Sequence, residues 1–170
     1  AREEAPGLQL AMLGVITARD DPEAFDVLAE VKAHAGDDPD IHIFDDPAQV
    51  QEIEVASVQS GSDVVLQKSV REGFGLSVSE AMWKGTATIG GRCGGIQLQI
   101  VDGESGYLVG SVEECADRVL TLLNDRDRAR AIGEAARERA RKHFLLPRLM
   151  RDYLEVVAEA NRPANGVNRS

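Results

Sequence analysis

Two acidic residues, Glu72 and Glu80, flank a glycine-hinged bend in the run Lys68-Ser69-Val70-Arg71-Glu72-Gly73-Phe74-Gly75-Leu76-Ser77-Val78-Ser79-Glu80-Ala81-Met82. The run follows a strand-like stretch, Asp63–Gln67, and leads into a helix over 76–84 that Gly85 stops. Gly73 and Gly75 lack a Cβ, so the backbone at the bend can approach a ligand closely. At the start of that helix the N–H groups of Gly75, Leu76 and Ser77 are expected to be free donors. With the helix dipole they make an anion site suited to a diphosphate. Lys68 and Arg71 add positive charge on the same side. Carboxylates beside a phosphate site are costly unless they accept hydrogen bonds from hydroxyls, and sugar and ribose hydroxyls are the natural partners. Each feature alone has a plainer reading. A glycine pair can be turn chemistry, and a lone Glu80 can be a solvated surface residue. Their combination in one strand-to-helix junction points to a nucleotide-sugar site.

Five short apolar strands alternate with helical segments around this junction. The strands read as Leu8–Val15, Ile41–Phe44, Asp63–Gln67, Thr86–Ile89 and Tyr107–Val109. The first reads as a buried strand of the kind found in parallel sheets. Ala1–Ala5 reads as the end of a helix broken by Pro6-Gly7. Asp21 ahead of Pro22 starts a helix running to about Gly36, with Phe25, Leu28, Ala29 and Val31 inward. Asp46-Pro47 with Gln49 starts another that ends near Ser60-Gly61, and Gln97–Val101 suits a single turn. Ser111 with Glu114 forms a capping box opening a helix to about Asn124. Helices over Arg126–Lys142 and Leu146–Ala160 complete the order. The alternation predicts an α/β fold, a Rossmann-like doubly wound parallel sheet with C-terminal helices. Residues 1–160 form the domain and 161–170 a frayed tail. Such sheets bind ligands at the carboxyl ends of their strands. After the fourth strand, Gly90-Gly91-Arg92-Cys93-Gly94-Gly95 reads as a flexible loop. Trp83 on the signature helix is expected to pack in the core.

Composition narrows the partners. The chain has 170 residues, 43% hydrophobic, and a formal net charge of −10. That is enough for a real core and too acidic for bulk nucleic-acid binding. Nine Lys and Arg side chains fall between Arg126 and Arg151, but interleaved Glu134 and Glu138 make that stretch a solvated helix face. Cys93 and Cys115 are too few for a disulfide framework or a zinc site, and His34, His42 and His143 are scattered. The aspartates at 37, 38 and 40 read as a loop rather than a metal site. No stretch resembles a signal peptide or a membrane span, so a cytoplasmic setting without a membrane partner is expected.

Glu72-Gly73-Phe74-Gly75-Leu76 with Glu80-Ala81-Met82 resembles the two-glutamate signature of the retaining GT-B glycosyltransferases related to glycogen and sucrose synthases. Within that group the chain is similar to the trehalose-forming transferases, the trehalose glycosyltransferring synthases. Met12–Val15 with Asp20–Glu23, Arg71–Gly85, and Gly94–Ile96 with Gln99–Gly106 carry that similarity, which spans about Pro6 to Leu154. The resemblance implies the C-terminal, donor-binding half of a GT-B fold. It puts Glu72 on the transferred sugar, as the catalytic residue, and Glu80 on the ribose hydroxyls. The Gly73–Leu76 backbone would face the diphosphate, with Gly94 and Gly95 near the same pocket and Phe44-Asp45 near the base.

The implied reaction moves glucose from a nucleoside diphosphate glucose to glucose, giving trehalose with retention, with no metal or other cofactor. The family's acceptor-binding N-terminal domain is not in this sequence. Neither are the opening strand and helix that bring an Arg and a Lys to the diphosphate, roles that Lys68 or Arg71 would fill only in part. The chain alone is therefore expected to be an incomplete enzyme. A homo-dimer or the missing acceptor domain would cover the apolar side of Leu146–Ala160. A trehalose phosphorylase-like domain, a non-catalytic nucleotide-sugar-binding module and an inactive remnant remain open alternatives.

Overall fold

The strands are short and mostly apolar, and the helices that connect them let neighbours run parallel. The computed structural model describes residues 4–14 and 22–162. In chain order the elements are β1 (Leu10–Leu13), α1 (Pro22–Ala35), β2 (Ile41–Phe44), α2 (Glu52–Gly61), β3 (Val64–Gln67), α3 (Leu76–Lys84) and β4 (Ala87–Gly91). They continue with α4 (Ile96–Gln99), β5 (Tyr107–Val109), α5 (Val112–Asn124), α6 (Arg126–His143) and α7 (Leu146–Ala160). Every strand pairing is parallel, but the ladder comes in two parts: β1 with β2, and β3–β4–β5 with β4 in the middle. From α2, Gln59 ties into the second part. Its backbone carbonyl accepts from Thr86 Oγ1 at 2.7 Å, and its side-chain carbonyl accepts from Lys84 Nζ at 2.8 Å.

The core lies on the two faces of β4, which is buried along its whole length. On one face Ala87 and Ile89 pack with Tyr107, Val109, Leu122 and Ile132 of β5, α5 and α6. On the other, Gly90 has no room for a Cβ because Ile96 and Ile100 press against it, and these join Val78, Met82, Ala136 and Ala140. Helices on both faces of a parallel sheet make this a doubly wound, Rossmann-like α/β fold. The helix starts are fixed by polar caps. Ser111 Oγ accepts from the Glu114 N–H at 3.1 Å, and Asp125 Oδ1 accepts from the Arg128 N–H at 2.9 Å. The Glu114 carboxylate reaches back to the Gly110 N–H at 2.6 Å, one residue before the usual capping-box target.

Several sequence expectations are corrected. β1 is not buried: Leu10 and Met12 are 39% and 37% exposed, because only β2 flanks it among the described residues. The inward stripe of α1 is Ala24, Leu28, Val31 and Ala35, a helical repeat that leaves Phe25 and Ala29 exposed. Asp46 does not start α2. Its carboxylate closes a local turn on the Ala48 N–H at 2.8 Å, and the helix begins at Glu52. Glu4 and Ala5 lie in a turn and a bend, and β4 continues through Gly91. Trp83 is 41% exposed rather than core. The buried stripe of α3 is Val78, Ala81 and Met82. One residue further turns the chain by about 100° and brings Trp83 under the Arg137 guanidinium, 5.5 Å from the ring centroid. The Asp21 cap and most of the 161–170 tail lie outside the described residues. α7 buries none of its residues.

Candidate functional site

The β3-to-α3 junction is clasped by glycines after β3 and at or just past the end of β4, and those of the second group cannot be replaced without moving backbone. Gly75, the N-cap of α3, has φ 84° and ψ 65°, a left-handed conformation that glycine adopts at little cost. A Cβ on Gly91 or Gly94 would overlap the carbonyl oxygens of Ser69 and Glu72. On Gly95 it would lie 2.7 Å from both the Gly73 oxygen and the Phe74 Cα. The loop after β4 is thus pressed directly against the bend after β3. Two hydrogen bonds fasten the contact: Gly95 N–H to the Gly73 carbonyl at 2.8 Å, and Cys93 Sγ to the Ser69 carbonyl at 3.0 Å. Cys93 is thus a structural tie.

The donors of this bend are arranged as a helix N-terminus requires. The Val78 N–H returns to the Gly75 carbonyl at 3.0 Å, while those of Gly75, Leu76 and Ser77 have no acceptor among the described residues. Ser77 is half-buried and Leu76 is exposed. The Phe74 ring turns away and packs edge-on against Phe144, centroids 5.9 Å apart, so Phe74 offers the site its backbone only.

The two glutamates do not touch each other; each is held separately. Glu72 is half-buried, with its carboxylate accepting from Ser69 Oγ at 3.3 Å and from the Gly73 N–H at 3.0 Å. Glu80, a turn into α3, is exposed and accepts from Gln59 Nε2 of α2 at 3.4 Å. The charge near the bend divides likewise. At the start of α5 the Glu113 carboxyl is lowered by its own backbone N–H and the Ser111 hydroxyl, and to a lesser degree by the exposed Lys68. The same lysine partly offsets the burial that raises the Cys115 thiol. Arg71 is exposed and makes no hydrogen bond or ion pair among the described residues.

A hollow of about 450 Å³ opens at the carboxyl ends of β1 and β2, between Leu13 and Phe44 and the α2 residues Ile53, Glu54, Ser57 and Val58. It is mainly apolar, and its lining residue Val58 directly precedes Gln59, the residue that reaches Glu80. The Asp45 carboxylate is committed to Lys32 Nζ at 2.6 Å, a hydrogen bond that lowers its pKa, so of the Phe44-Asp45 pair only Phe44 faces the hollow. No three His, Cys, Asp or Glu side chains converge among the described residues.

Sequence reasoning missed Gln59, Ser69 and Gln99. Gln99 is fully buried, and its Nε2 donates to the carbonyls of Phe74 and Gly75, the latter at 3.2 Å. A glutamine alternating with apolar residues in Ile96–Ile100 was the available signal, but its meaning depends on where the bend runs in space.

A doubly wound sheet with a glycine-clasped helix start at its carboxyl edge places an anion site where such folds bind their ligands. HepE from Anabaena, crystallised with UDP, superposes with a TM-score of 0.76 over 91% of this chain and 42% of its own, at 18% identity. Residues 45–139 match the family described as glycosyl transferases group 1, and the chain belongs to that family. The trehalose synthase of Pyrococcus horikoshii is 43% identical over 92% of this chain, and that of Rubrobacter xylanophilus is 44% identical over 93%. The chain spans only 37% and 38% of those relatives' lengths. No described helix is long and apolar enough to cross a membrane.

Proposed function

We propose that this chain is the donor-binding part of a retaining glycosyltransferase that moves glucose from a nucleoside diphosphate glucose to glucose, forming trehalose. The observation that carries the reading is the clasped bend, whose free Gly75, Leu76 and Ser77 N–H groups sit between Glu72 and Glu80. The order of parts along the sheet edge supports it. The apolar hollow at Phe44 takes the base, Glu80 takes the ribose hydroxyls, the amide row takes the diphosphate, and Glu72 takes the hydroxyls of the glucose. The relatives named trehalose synthase, and the UDP bound to a protein of the same fold, point the same way.

In this reading the bond from glucose C1 to the diphosphate oxygen breaks. The acceptor hydroxyl oxygen bonds to C1 on the same face, and its proton passes to the departing diphosphate. The chain's part is electrostatic. Amides aimed in advance at the leaving group stabilise its growing charge without reorganising at the moment of reaction. Lys68 and Arg71 add long-range attraction for the anion. Glu72 orients the sugar rather than forming a covalent bond to it. The apolar residues of α7, among them Leu149, Tyr153, Leu154 and Val157, are the surface we assign to the acceptor-binding domain.

Calorimetry with ADP, UDP, GDP and their glucose conjugates tests the binding half of the proposal. Heat at millimolar ligand or below is expected, and its absence contradicts the reading. Trehalose should form from the bound conjugate and glucose only once an acceptor domain is joined to the chain.

A further inference from the structure

Three successive carbonyls of the bend are held from one side. The Gly73 carbonyl accepts from the Gly95 N–H at 2.8 Å. The Phe74 and Gly75 carbonyls both accept from Gln99 Nε2, and Gly75 also accepts from the Val78 N–H. All these peptides are trans, and in a trans peptide the C=O and the following N–H point in opposite directions. Holding the Phe74 carbonyl therefore turns the Gly75 N–H away from Gln99, and holding the Gly75 carbonyl does the same for the exposed Leu76 N–H. One buried amide sets the direction of two donors.

Gln99 has no other evident use for its polarity. The side chain is fully buried, yet its Oε1 has no partner, and it is the one such atom found among the described buried side chains. Two carbonyl neighbours leave the NH2 group no alternative orientation. An unpaired buried acceptor costs stability, so an apolar side chain would suit the core better if the bend carbonyls did not need a donor. The short helix α4 that carries it is itself held. Arg139 donates to the Gln99 backbone carbonyl at 2.5 Å and to that of Leu98 at 2.7 Å.

We propose that Gln99 is a positioning residue that aims the Gly75 and Leu76 amides and thereby sets the preference of this site for a diphosphate over a monophosphate. The inference rests on the donor-site reading given above. Gln99→Met keeps the length of the side chain and removes the donor; Gln99→Leu serves the same purpose if the first variant does not fold. The 170-residue chain and the variant are titrated calorimetrically with ADP and AMP, and with the UDP/UMP and GDP/GMP pairs, alongside a thermal melt.

The expected result is a diphosphate-over-monophosphate preference that falls about tenfold in the variant, while monophosphate affinity changes less than about twofold. An unchanged preference overturns the proposal. So does a loss shared equally by both ligands, because a merely structural role would weaken the whole site together. A parent chain with no preference for diphosphates overturns the donor-site reading itself, and this proposal with it.

Discussion

Gly95→Ala separates the clasp from every other source of stability in the fold. Gly95 has φ −67° and ψ −16°, which alanine adopts freely, so the substitution adds no backbone strain. Its Cβ would lie 2.7 Å from the Gly73 oxygen and the Phe74 Cα, where ordinary contact begins at 3.4 Å. The bend must therefore move by about 0.7 Å, and both obstructing atoms are backbone. That shift stretches the 2.8 Å Gly95 to Gly73 hydrogen bond to the edge of usefulness. Overpacking of this kind costs about 1–3 kcal/mol. In a chain of this size that lowers the melting temperature by roughly 2–12 °C. The displaced amides should also weaken nucleoside diphosphate binding by about 10- to 100-fold, the worth of a charge-assisted hydrogen bond or so. Gly73→Ala is the matched control, since nothing lies within 4 Å of its Cβ. It should melt close to the parent. The assays are a thermal melt and a calorimetric titration with the same diphosphate. A Gly95→Ala chain that melts within about 1 °C of the parent and binds like it refutes the clasp.

Gly75→Ala forces a Cβ into the left-handed region and should cost about 1–2 kcal/mol, read as a shift of the urea midpoint. Asp125→Ala removes the cap of α6 and should cost about 1 kcal/mol in the same assay without touching diphosphate affinity. The Glu138 carboxyl is held down to about 2 by Arg141 first and then Lys142. A depressed folded-state pKa stabilises above the unfolded value and is lost as protons are taken up. The melting difference between the parent and Glu138→Gln should therefore be present at pH 6 and vanish as pH falls from about 5 towards 2. Burial raises the Cys115 thiol, so its alkylation should reach half its maximal rate at a higher pH than a free cysteine does.

Much of the fold was legible because local signals agreed with tertiary ones. Gly75 and Gly85 bracket α3 at the residues where glycine is needed for φ > 0, and Ser111 opens α5 as its side chain suggests. Where the two diverged, sequence reading went astray. Asp46-Pro47 carries the chemistry of a helix start but spends it on an isolated turn. The apolar residues of α1 admit more than one inward stripe, and only the packing selects Leu28 and Val31 over Phe25 and Ala29. At the candidate site the residue types were readable and their couplings were not. Nothing in the order of residues says that Glu80 turns to Gln59, that Lys68 lies toward Glu113, or that Gln99 reaches the bend. Those pairs lie 21 to 45 residues apart in sequence, and only tertiary packing brings them near each other.

Amide shifts of the isotope-labelled 170-residue chain, followed while ADP, UDP or GDP is added, bear on the central claim most directly. The largest changes are expected at the N–H groups of Gly75, Leu76 and Ser77, with smaller ones around Phe44 and Ile53. A bend whose amides stay still while the nucleotide perturbs some other face would contradict the account.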